Sequence, residues 1–382
     1  MAEAIVIIGA GIFQKPLIEK ASAMGYETHV FAWEEGAVAR GTADYFYPIS
    51  IIDIDQILAC CLQIKPVAVA SIASDLAAIT VNELAFRLGL PANSPECVIR
   101  TTNKYAMRCA LKAAGIPVPD FAEADRDTVA DGASALGLTF PLVVKPTDRS
   151  GSRGIALVHD DDELRRAVAC AVEYSFEEKA IVESFLEGDE YSCESITFQG
   201  THHILALTKK ETTGSPGFIE TGHREPAGLT PEQEHSITAE IIKALDALQI
   251  TCGASHAEFR INHNGELRII EIGARMGGDC IGSHLVHLST GYDFLGMVLD
   301  VAAGKVPDFN SNGLSRAAAV KFIMNKADID RMNRIVRLEP QSVIEISPIN
   351  IHNQPIIDSA GRYGYYVLTA SNSQEMERIL AL

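Results

Sequence analysis

An Asn-Gly pair, Asn264-Gly265, separates two stretches rich in β-formers, HAEFRI and ELRIIEIG. Asn-Gly is the strongest short-range signal for a two-residue type I′ turn between antiparallel strands. If these two residues form the turn, positions whose numbers sum to 529 face each other, and Glu258 lies opposite Glu271. The pair therefore predicts both an antiparallel hairpin and its register.

The predicted register brings two carboxylates together. Facing side chains have Cβ atoms about 5 Å apart, so ionised Glu258 and Glu271 repel each other, and removing either should cost the sheet little. A divalent cation held by carboxylate oxygens would offset the repulsion. The alternative is a solvated pair on an exposed edge, and the hairpin alone leaves both interpretations open.

The residues after the hairpin suit chemistry on phosphate. Arg275 follows Glu271 by four positions and precedes Gly277-Gly278, whose backbone amides can approach an oxyanion closely. A metal ion, a guanidinium and free N–H groups together suit phosphoryl transfer and a tetrahedral intermediate. An arginine taken alone would more often form a surface ion pair.

Residues 1 to about 100 alternate β-rich runs such as AIVIIGAG and ETHVFAW with helical stretches, which predicts an open parallel sheet. Gly9-Ala10-Gly11 lies at the first strand-to-helix turn, and Glu34 lies near the end of the second strand. Both features are typical of dinucleotide-binding folds. Gln14 stands where the third glycine of that fingerprint belongs, so the signal for NAD(P) is incomplete.

A second unit begins after Pro95. Thr101 or Thr102 is placed to cap a helix that Gly115 ends. From Phe140 the pattern changes to a strand, a glycine-rich turn, a polar helix and two more strands. We expect a compact α+β module here.

The glycine-rich turn of this module follows a strand that ends in Lys145. It contains Ser150, Gly151, Ser152 and Gly154, which predicts a mobile flap whose amides cover phosphates. The Walker A pattern G-x-x-x-x-G-K-S/T is absent from the sequence. A surface hairpin is the alternative interpretation.

Composition and charge exclude several classes of partner. The formal net charge of −18 and the pI near 5.0 argue against a nucleic-acid surface, which needs a concentrated excess of Lys and Arg. Eight scattered cysteines without a C-x-x-C pair indicate reduced thiols. The start of the chain lacks a basic n-region, and no apolar run reaches the roughly 18 residues of a membrane span. We therefore expect a cytoplasmic protein with no membrane partner.

Four segments occur in an order that resembles the ATP-grasp superfamily across roughly residues 1 to 305. They are TNKYAMRCALKAAGIPVP, PLVVKPTDRSGSRGI, IVESFLEGDEYSCE and HAEFRINHNGELRIIEIGARMGGD. The chain is similar to the branch of carboxylate-amine ligases, L-amino acid ligases, the carbamoyl phosphate synthetase large subunit and phosphoribosylaminoimidazole carboxylase ATPase. The resemblance implies an α/β and α+β chain with the ATP-grasp fold behind an N-terminal Rossmann-like domain. The expected domains are residues 1–100, residues 101–305 with a small nucleotide-covering subdomain at about 118–195, and a C-terminal α+β segment at 306–382.

The resemblance also implies roles for individual residues. Lys104 and Lys145 would contact the nucleotide phosphates, Glu183, Ser184, Phe185 and Leu186 would bind adenine through backbone groups and one carboxylate, and Glu190 would hold the ribose. Glu258 and Glu271 match the two magnesium-binding acids, His223 matches a loop histidine near the phosphates or the substrate carboxylate, and His256 is a candidate to support the metal site. The family usually has E-x-N where this chain has Glu271-Ile272-Gly273, so the Asn of the second metal site is missing. A second ion would then need water or Asp279.

These observations predict a ligase that uses ATP and Mg²⁺, with Mn²⁺ as a substitute. A substrate carboxylate would attack the γ-phosphate to give an acyl phosphate and ADP, and an amine would then attack the acyl carbon. The partners are a small acid and a small amine, and a homodimer is the expected assembly. Two alternatives stay open: an ATP-dependent carboxylase that activates bicarbonate, and an NAD(P)-dependent oxidoreductase or dinucleotide-binding module.

Overall fold

The computed structural model describes residues 2–215, 217–311, 313 and 315–382. Three sheets follow one another along the chain, with four, four and eight strands. The first sheet is parallel and the other two are antiparallel. This arrangement confirms the predicted α/β and α+β class.

The first sheet is the open parallel sheet that the βαβ pattern predicts. Its strand order is β3-β2-β1-β4, and the central strand β1 is buried over four of its five residues. Helices cover both faces. In chain order the elements are β1 (Ala4–Ile8), α1 (Lys15–Ala23), β2 (Glu27–Phe31), β3 (Tyr45–Tyr47), α2 (Ile54–Ile64), β4 (Ala68–Ala70), α3 (Asp75–Leu88), α4 (Pro95–Thr102) and α5 (Lys104–Ala113).

The first glycine-rich turn is closed by its own chain. Gly9 has a φ of +98°, and the amide of Gly11 donates to the side-chain oxygen of Gln14 at 3.1 Å. The side-chain amide nitrogen of Gln14 in turn donates to the backbone carbonyl of Ile72 at 2.9 Å. A pyrophosphate would need the Gly11 amide that Gln14 occupies. The turn is therefore built as a joint between α1 and the end of β4, which argues against the dinucleotide-binding alternative.

The helix predicted after Pro95 is two helices, α4 and α5. Its predicted cap at Thr101 or Thr102 is wrong, because Asn103 caps α5 by accepting a first-turn amide at 2.9 Å. The two threonine hydroxyls instead donate to carbonyls one turn earlier in α4. The break between the helices places Lys104 at the first position of α5.

The second sheet contains most of the predicted α+β module, but the second strand predicted after the polar helix, at Asp189–Phe198, belongs to the third sheet. Its strand order is β5-β8-β6-β7, and Leu142 and Val144 of β6 pack with Leu164 and Val168 of the covering helix. Asp160 caps that helix by accepting a backbone amide at 2.8 Å. The elements are β5 (Phe121–Ala124), β6 (Leu142–Pro146), β7 (Ala156–Val158), α6 (Asp161–Tyr174) and β8 (Ala180–Ser184).

The third sheet runs from β9 to the C-terminal region. Its strand order is β13-β12-β9-β10-β11-β14-β16-β15, so strands from both sides of residue 306 share one sheet. Helix α7 covers one face, and its Thr230 cap forms a capping box with Gln233. The elements are β9 (Asp189–Phe198), β10 (Thr201–Thr212), β11 (Glu220–Glu225), α7 (Pro231–Ala247), β12 (Gly253–Ile261), β13 (Leu267–Gly273), α8 (Val286–Thr290), α9 (Phe294–Ala302), β14 (Ala317–Ile323), α10 (Lys326–Leu338), β15 (Val343–Ile346), β16 (Gly364–Ala370) and α11 (Ser373–Leu380).

The hairpin between β12 and β13 has a different turn from the one predicted. Asn262 pairs with Glu266 across a three-residue loop, in which Gly265 has a φ of +80°. Near the turn the register is therefore shifted by one from the prediction. A bulge at Ile270 shifts it back, so Glu258 does face Glu271. The predicted pairing is confirmed, although the two-residue turn is wrong.

Candidate active site

A cavity of about 400 Å³ is lined by residues from the second and third sheets and from the connections that follow strands of the first sheet. Its size lies within the usual range of small-molecule sites, about 300–1,000 Å³. The lining contains nine Lys or Arg and seven Asp or Glu residues. The cavity is thus locally basic although the chain carries a net charge of −18, and it favours a small anionic ligand.

Most residues predicted for the site line this cavity. They are Lys104, Lys145, Ser150, Gly151, Ser152, Glu183, Ser184, Phe185, Leu186, Glu190, His223, Glu258, Glu271, Arg275 and Gly278. Gly154 and Gly277 lie outside the lining. Gly154 has a φ of +67°, and a Cβ added there would come within 3.0 Å of the Tyr174 ring, so it shapes the turn rather than the cavity wall.

The facing carboxylates are held by lysines. Glu258 accepts hydrogen bonds from Lys210 and from Nε2 of His256, the latter at 3.1 Å. Glu271 accepts from Nζ of Lys104 at 2.9 Å. Burial alone would raise the pKa of Glu258, but Lys210 and His256 outweigh it and hold the pKa well below its ordinary value. Both acids face one cavity, and each accepts its hydrogen bonds through a single oxygen, Oε1.

Lys210 was not predicted from the sequence. It lies on β10 with its side chain only 3% exposed, and its Nζ is 3.4 Å from Glu190 in addition to its bond with Glu258. Burial would lower the pKa of Lys210, but Glu258 and Glu190 raise it above its ordinary value. A buried, charged lysine on the inward face of a strand is the signal that could have identified it.

A buried Glu194–His256–Glu258 chain lies beneath the carboxylate pair. Nδ1 of His256 contacts Glu194. Burial alone would lower the pKa of His256, but Glu194 and Glu258 outweigh it and raise the pKa to about 9. The amide of Gly277 donates to Glu194 at 3.0 Å. The prediction that Gly277 offers its amide to an oxyanion is therefore wrong, because this amide already donates its hydrogen bond to Glu194.

Lys104 and Lys145, the two lysines predicted to contact phosphates, both line the cavity. Nζ of Lys104 donates to the carbonyl of Arg149 at 2.6 Å, which ties α5 to the glycine-rich turn. Nζ of Lys145 donates to Glu183 at 2.8 Å. Nε of Arg108, a fully buried arginine, contacts the other oxygen of Glu183 at 2.5 Å.

The carboxylate predicted to bind adenine is therefore engaged elsewhere. Burial would raise the pKa of Glu183, but Arg108 and Lys145 outweigh it and lower the pKa to about 2. A carboxylate that accepts from two cations within the protein has little capacity left for an adenine amino group. Backbone groups of residues 184–186 remain the candidates for that contact.

Arg260 organises the wall beyond this segment. Its guanidinium donates to the carbonyl of Leu186 at 2.6 Å and to Glu190 at 3.0 Å. It also lies 5.5 Å from the ring centroids of both Phe185 and Phe218. The two rings, tilted by 39° to each other, and the arginine form a wall that can contact a planar ring.

Arg275 is anchored by the first residue of α3, the helix that follows β4 of the first sheet. Its Nε donates to Oδ1 of Asp75 at 2.8 Å, and a second nitrogen lies 3.3 Å from Oδ2. Burial would raise the pKa of Asp75, but Arg275 outweighs it and lowers the pKa. Asp75 is the first residue of α3, so its strand-to-helix connection reaches the cavity. Gly278 lies beside Ala73 of this connection and also lines the cavity.

His223 lies in strand β11, so its assignment to a loop is wrong. It pairs with Lys210 on one side and Val320 on the other, which turns its ring toward the cavity. The ring is 1% exposed, and its Nδ1 has no hydrogen-bond partner among the described residues. Its Nε2 is 3.7 Å from Asp279. A buried nitrogen without a partner at a cavity wall suits contact with a ligand.

The C-terminal segment closes the cavity near His223. Both terminal nitrogens of Arg362 donate to Asp279 at 2.7 Å, and its guanidinium lies 3.7 Å from the Phe322 ring. Ser359 donates to Glu220 at 2.5 Å. The Asp279 carboxylate is thus engaged by an arginine, contrary to the prediction that it could serve a second metal ion.

Comparison with known proteins identifies the fold. Residues 138–283 match the family model described as ATP-grasp domain. The L-amino acid ligase structure from Bacillus licheniformis superposes with a TM-score of 0.83 at 23% identity, covering 99% of this chain and 96% of that one. Residues 138–283 are therefore an ATP-grasp domain. The N5-carboxyaminoimidazole synthetase structure from Staphylococcus aureus, solved with ADP, superposes with a TM-score of 0.78 at 18% identity over 100% and 97% of the two chains.

The curated relatives include ligases. A D-alanine–D-alanine ligase of Haemophilus influenzae is 28% identical over 206 residues, covering 52% of this chain and 68% of the relative. An alanine–anticapsin ligase of Bacillus subtilis is 30% identical over 215 residues, covering 50% and 45%. An uncharacterized protein, y4rH, of Sinorhizobium fredii is 28% identical over 314 residues, covering 79% and 63%. The chain thus spans about half to two thirds of the length of these relatives.

The ATP-grasp cavity contains further residues that sequence reasoning did not predict. They are Asp75, Arg108, Lys210, Arg260 and Arg362, and each lines the cavity. Arg108 was hidden because it belongs to an ordinary amphipathic helix, and Asp75 and Arg362 because their segments lie far from the motifs in sequence. Among the described residues, none of the helices is both long and apolar enough to cross a membrane.

Proposed function

We propose that this chain is an ATP-dependent carboxylate–amine ligase, which converts a small acid such as an amino acid to an acyl phosphate and joins it to an amine, releasing ADP and phosphate. The observation that carries the proposal is the Glu258/Glu271 pair, which faces the same cavity as Lys104, Lys145 and Arg275. The relatives named as alanine ligases support an amino acid as one substrate.

The nucleotide would lie between the second and third sheets. Lys104 and Lys145 supply cations for the phosphates, and the amides of the turn at residues 150–154 can cover them. The wall of Phe185, Phe218 and Arg260 suits the adenine ring, and Glu190 faces the same end of the cavity.

Glu258 and Glu271 are the residues that would hold Mg²⁺, or Mn²⁺ in its place. Mg²⁺ is usually held by one or two carboxylates together with substrate phosphates, so two facing acids fit it. Such an ion supplies neutralisation of the charge that develops on the phosphate oxygens. Among the described residues there is no group of three or more His, Cys, Asp or Glu side chains placed to hold a metal, so the proposed site consists of the pair together with the substrate phosphates.

Cationic side chains and backbone amides of the chain would stabilise the charges that develop during phosphoryl transfer and during attack by the amine. Arg275, fixed by Asp75, would orient the transferring phosphoryl group and balance its charge. His223 offers its unpartnered Nδ1 to the acid or to the phosphate. When the amine attacks the acyl carbon, Gly278 is the remaining glycine amide for the oxyanion, since the Gly277 amide is engaged.

A screen for ADP release tests the proposal. Amino acids would be supplied singly and in pairs with Mg²⁺ and ATP, and hydroxylamine would trap the acyl phosphate as a hydroxamate. We expect ADP and hydroxamate in equal amounts, both strongly reduced in Arg275→Ala. Stoichiometric AMP in place of ADP, under conditions where product forms, would refute the acyl-phosphate route.

Two control reactions separate this function from its alternatives. Bicarbonate-dependent ADP formation without an amino acid would favour a carboxylase. Tight NAD(P) binding without binding of Mg²⁺ and ATP would favour the dinucleotide-binding module, against which the Gln14 contact already argues. We also propose a homodimer, and sedimentation of the purified protein would measure it.

A further inference from the structure

The seven acids that line the cavity fall into two groups. Asp75, Glu183, Glu190 and Asp279 each contact an arginine, and Glu220 accepts the Ser359 hydroxyl. Glu258 and Glu271 alone among these seven are held by lysine without an arginine. An arginine binds a carboxylate through a planar fork, whereas a lysine is a single flexible cation that moves more readily to a new partner. Glu258 and Glu271 each accept through one oxygen only, and they face each other across the hairpin, so their second oxygens can serve one divalent ion.

The neighbourhood of Gly273 is crowded by the side chains of Asp75 and Arg275. A Cβ added at Gly273 would lie 3.0 Å from Oδ1 of Asp75 and 3.3 Å from Nε of Arg275. The carboxamide oxygen of an Asn lies two bonds beyond Cβ, roughly 2.4 Å from it by standard bond lengths. The Asp75–Arg275 ion pair thus occupies the volume that an Asn side chain at this position would need.

Asp75 does not act as a replacement ligand in this volume. Both of its oxygens face Arg275, at 2.8 and 3.3 Å. No group of three or more potential metal-ligating His, Cys, Asp or Glu side chains exists among residues 2–215, 217–311, 313 and 315–382. Asp279, the other substitute considered, is held by both terminal nitrogens of Arg362.

We propose that this site holds a single divalent ion, between Glu258 and Glu271, and that the Asp75–Arg275 ion pair occupies the place of a second one. The inference rests on the proposed function and adds its metal stoichiometry. A site with two ions about 3.5–4 Å apart needs oxygen ligands on both. Here the second position carries a guanidinium, a fixed cation supplied by the chain itself.

Manganese binding tests this inference without measuring activity. Mn²⁺ would be titrated into the protein saturated with a non-hydrolysable ATP analogue, with protein in excess, and followed by electron paramagnetic resonance. We expect one Mn²⁺ per bound nucleotide and an uncoupled six-line spectrum. Two ions of similar affinity with spin coupling between them would overturn the inference and leave the ligase proposal intact. Nucleotide binding without any Mn²⁺ would overturn both.

A swap of side chains provides the matched variants. Asp75→Ala combined with Gly273→Asn vacates the volume and adds the carboxamide, so the count should rise from one ion to two. Gly273→Asn alone should stay at one ion and unfold more readily, because its Cβ meets Asp75 and Arg275. A double variant that is folded, as judged by circular dichroism, and still binds one ion would remove Asp75 from the explanation.

A kinetic measurement distinguishes this role from a purely structural one. With ATP and Mg²⁺ equimolar and saturating, further free Mg²⁺ should not raise the rate of ADP release by the wild-type protein. The double variant should require free Mg²⁺ beyond the nucleotide for its full rate. A second phase of activation by free Mg²⁺ in the wild type would contradict the single-ion site.

Discussion

Replacing Glu258 by Gln should destabilise the protein even in the absence of metal and nucleotide. Repulsion between facing acids predicts that this change costs little, but the structure shows Glu258 bound to Lys210 and to His256. The side chains of Glu258 and Lys210 are 21% and 3% exposed, so the pair is mostly withdrawn from water. In Glu258→Gln the neutral amide no longer balances the buried charge of Lys210, and Glu190, 3.4 Å from its Nζ, is then the one carboxylate in contact with it among the described residues.

The size of the effect follows from these contacts. Removing one member of a buried ion pair costs about 3–5 kcal/mol when the other charge loses its compensation. Glu190 stays near Lys210 and Gln keeps an acceptor oxygen, so we expect about 2–3 kcal/mol for Glu258→Gln, below that range. Glu271→Gln should cost about 1 kcal/mol, the worth of one hydrogen bond, because Lys104 keeps its 2.6 Å bond to the Arg149 carbonyl.

Urea unfolding at pH 7.5, followed by far-ultraviolet circular dichroism, measures both variants. The pKa of Glu258 is lowered in the folded protein, so its stabilisation is present above the ordinary carboxyl pKa and is lost as the pH falls below it. The gap between wild type and Glu258→Gln should therefore narrow in acid. Equal losses in the two Gln variants, or none in Glu258→Gln, would refute the reasoning, whereas both should lose metal-dependent ADP release.

Three further predictions concern single residues. Lys145→Ala should weaken nucleotide binding at least about tenfold, since one lost cation contact is worth about 1.5–3 kcal/mol, and unchanged affinity in a nucleotide titration would contradict it. Gly277→Ala should lower the free energy of unfolding by about 1–3 kcal/mol, because the added Cβ comes within 2.7 Å of Glu194. Gly278→Ala should lower it by much less, because the nearest atom to its added Cβ is 3.4 Å away. Equal losses in the two variants would count against this packing. Burial raises the pKa of Glu225 to about 8, so the folded protein keeps a proton that the unfolded chain releases above about pH 4.5. Stability should therefore fall as pH rises across that window, and a Glu225→Gln variant with the same pH dependence would show that another group is responsible.

Local patterns in the sequence were sufficient for much of the fold. The βαβ alternation of the first hundred residues and the polar helix α6 were predicted from the sequence pattern, and both are present. The facing of Glu258 and Glu271 was predicted correctly although the turn was not, because a bulge at Ile270 cancels the shift that the longer loop introduces. A bulge has no reliable signature in a single sequence.

The partners of the site residues could not be predicted in the same way. Contacts such as Arg275 with Asp75, 200 residues apart in the chain, and Asp279 with Arg362, 83 apart, depend on how the sheets assemble. Local spacing carries no information about such pairs. For the same reason the sequence suggested a free amide at Gly277, although this amide donates a hydrogen bond to Glu194 on β9.

The position of β14 beside β11 affects how the protein is made. The sheet that carries Glu258 and Glu271 continues through β11 into β14, β16 and β15, the last strands of the chain. During synthesis β11 must wait for its neighbour while the ribosome adds about ninety more residues, and at roughly 5–20 residues per second that takes several seconds. Until then β11 presents an unpaired strand edge, the kind of surface on which nascent chains associate wrongly. A chain that ended after α9 would retain Glu258 and Glu271 on β12 and β13 but would leave the β11 edge of their sheet unpaired.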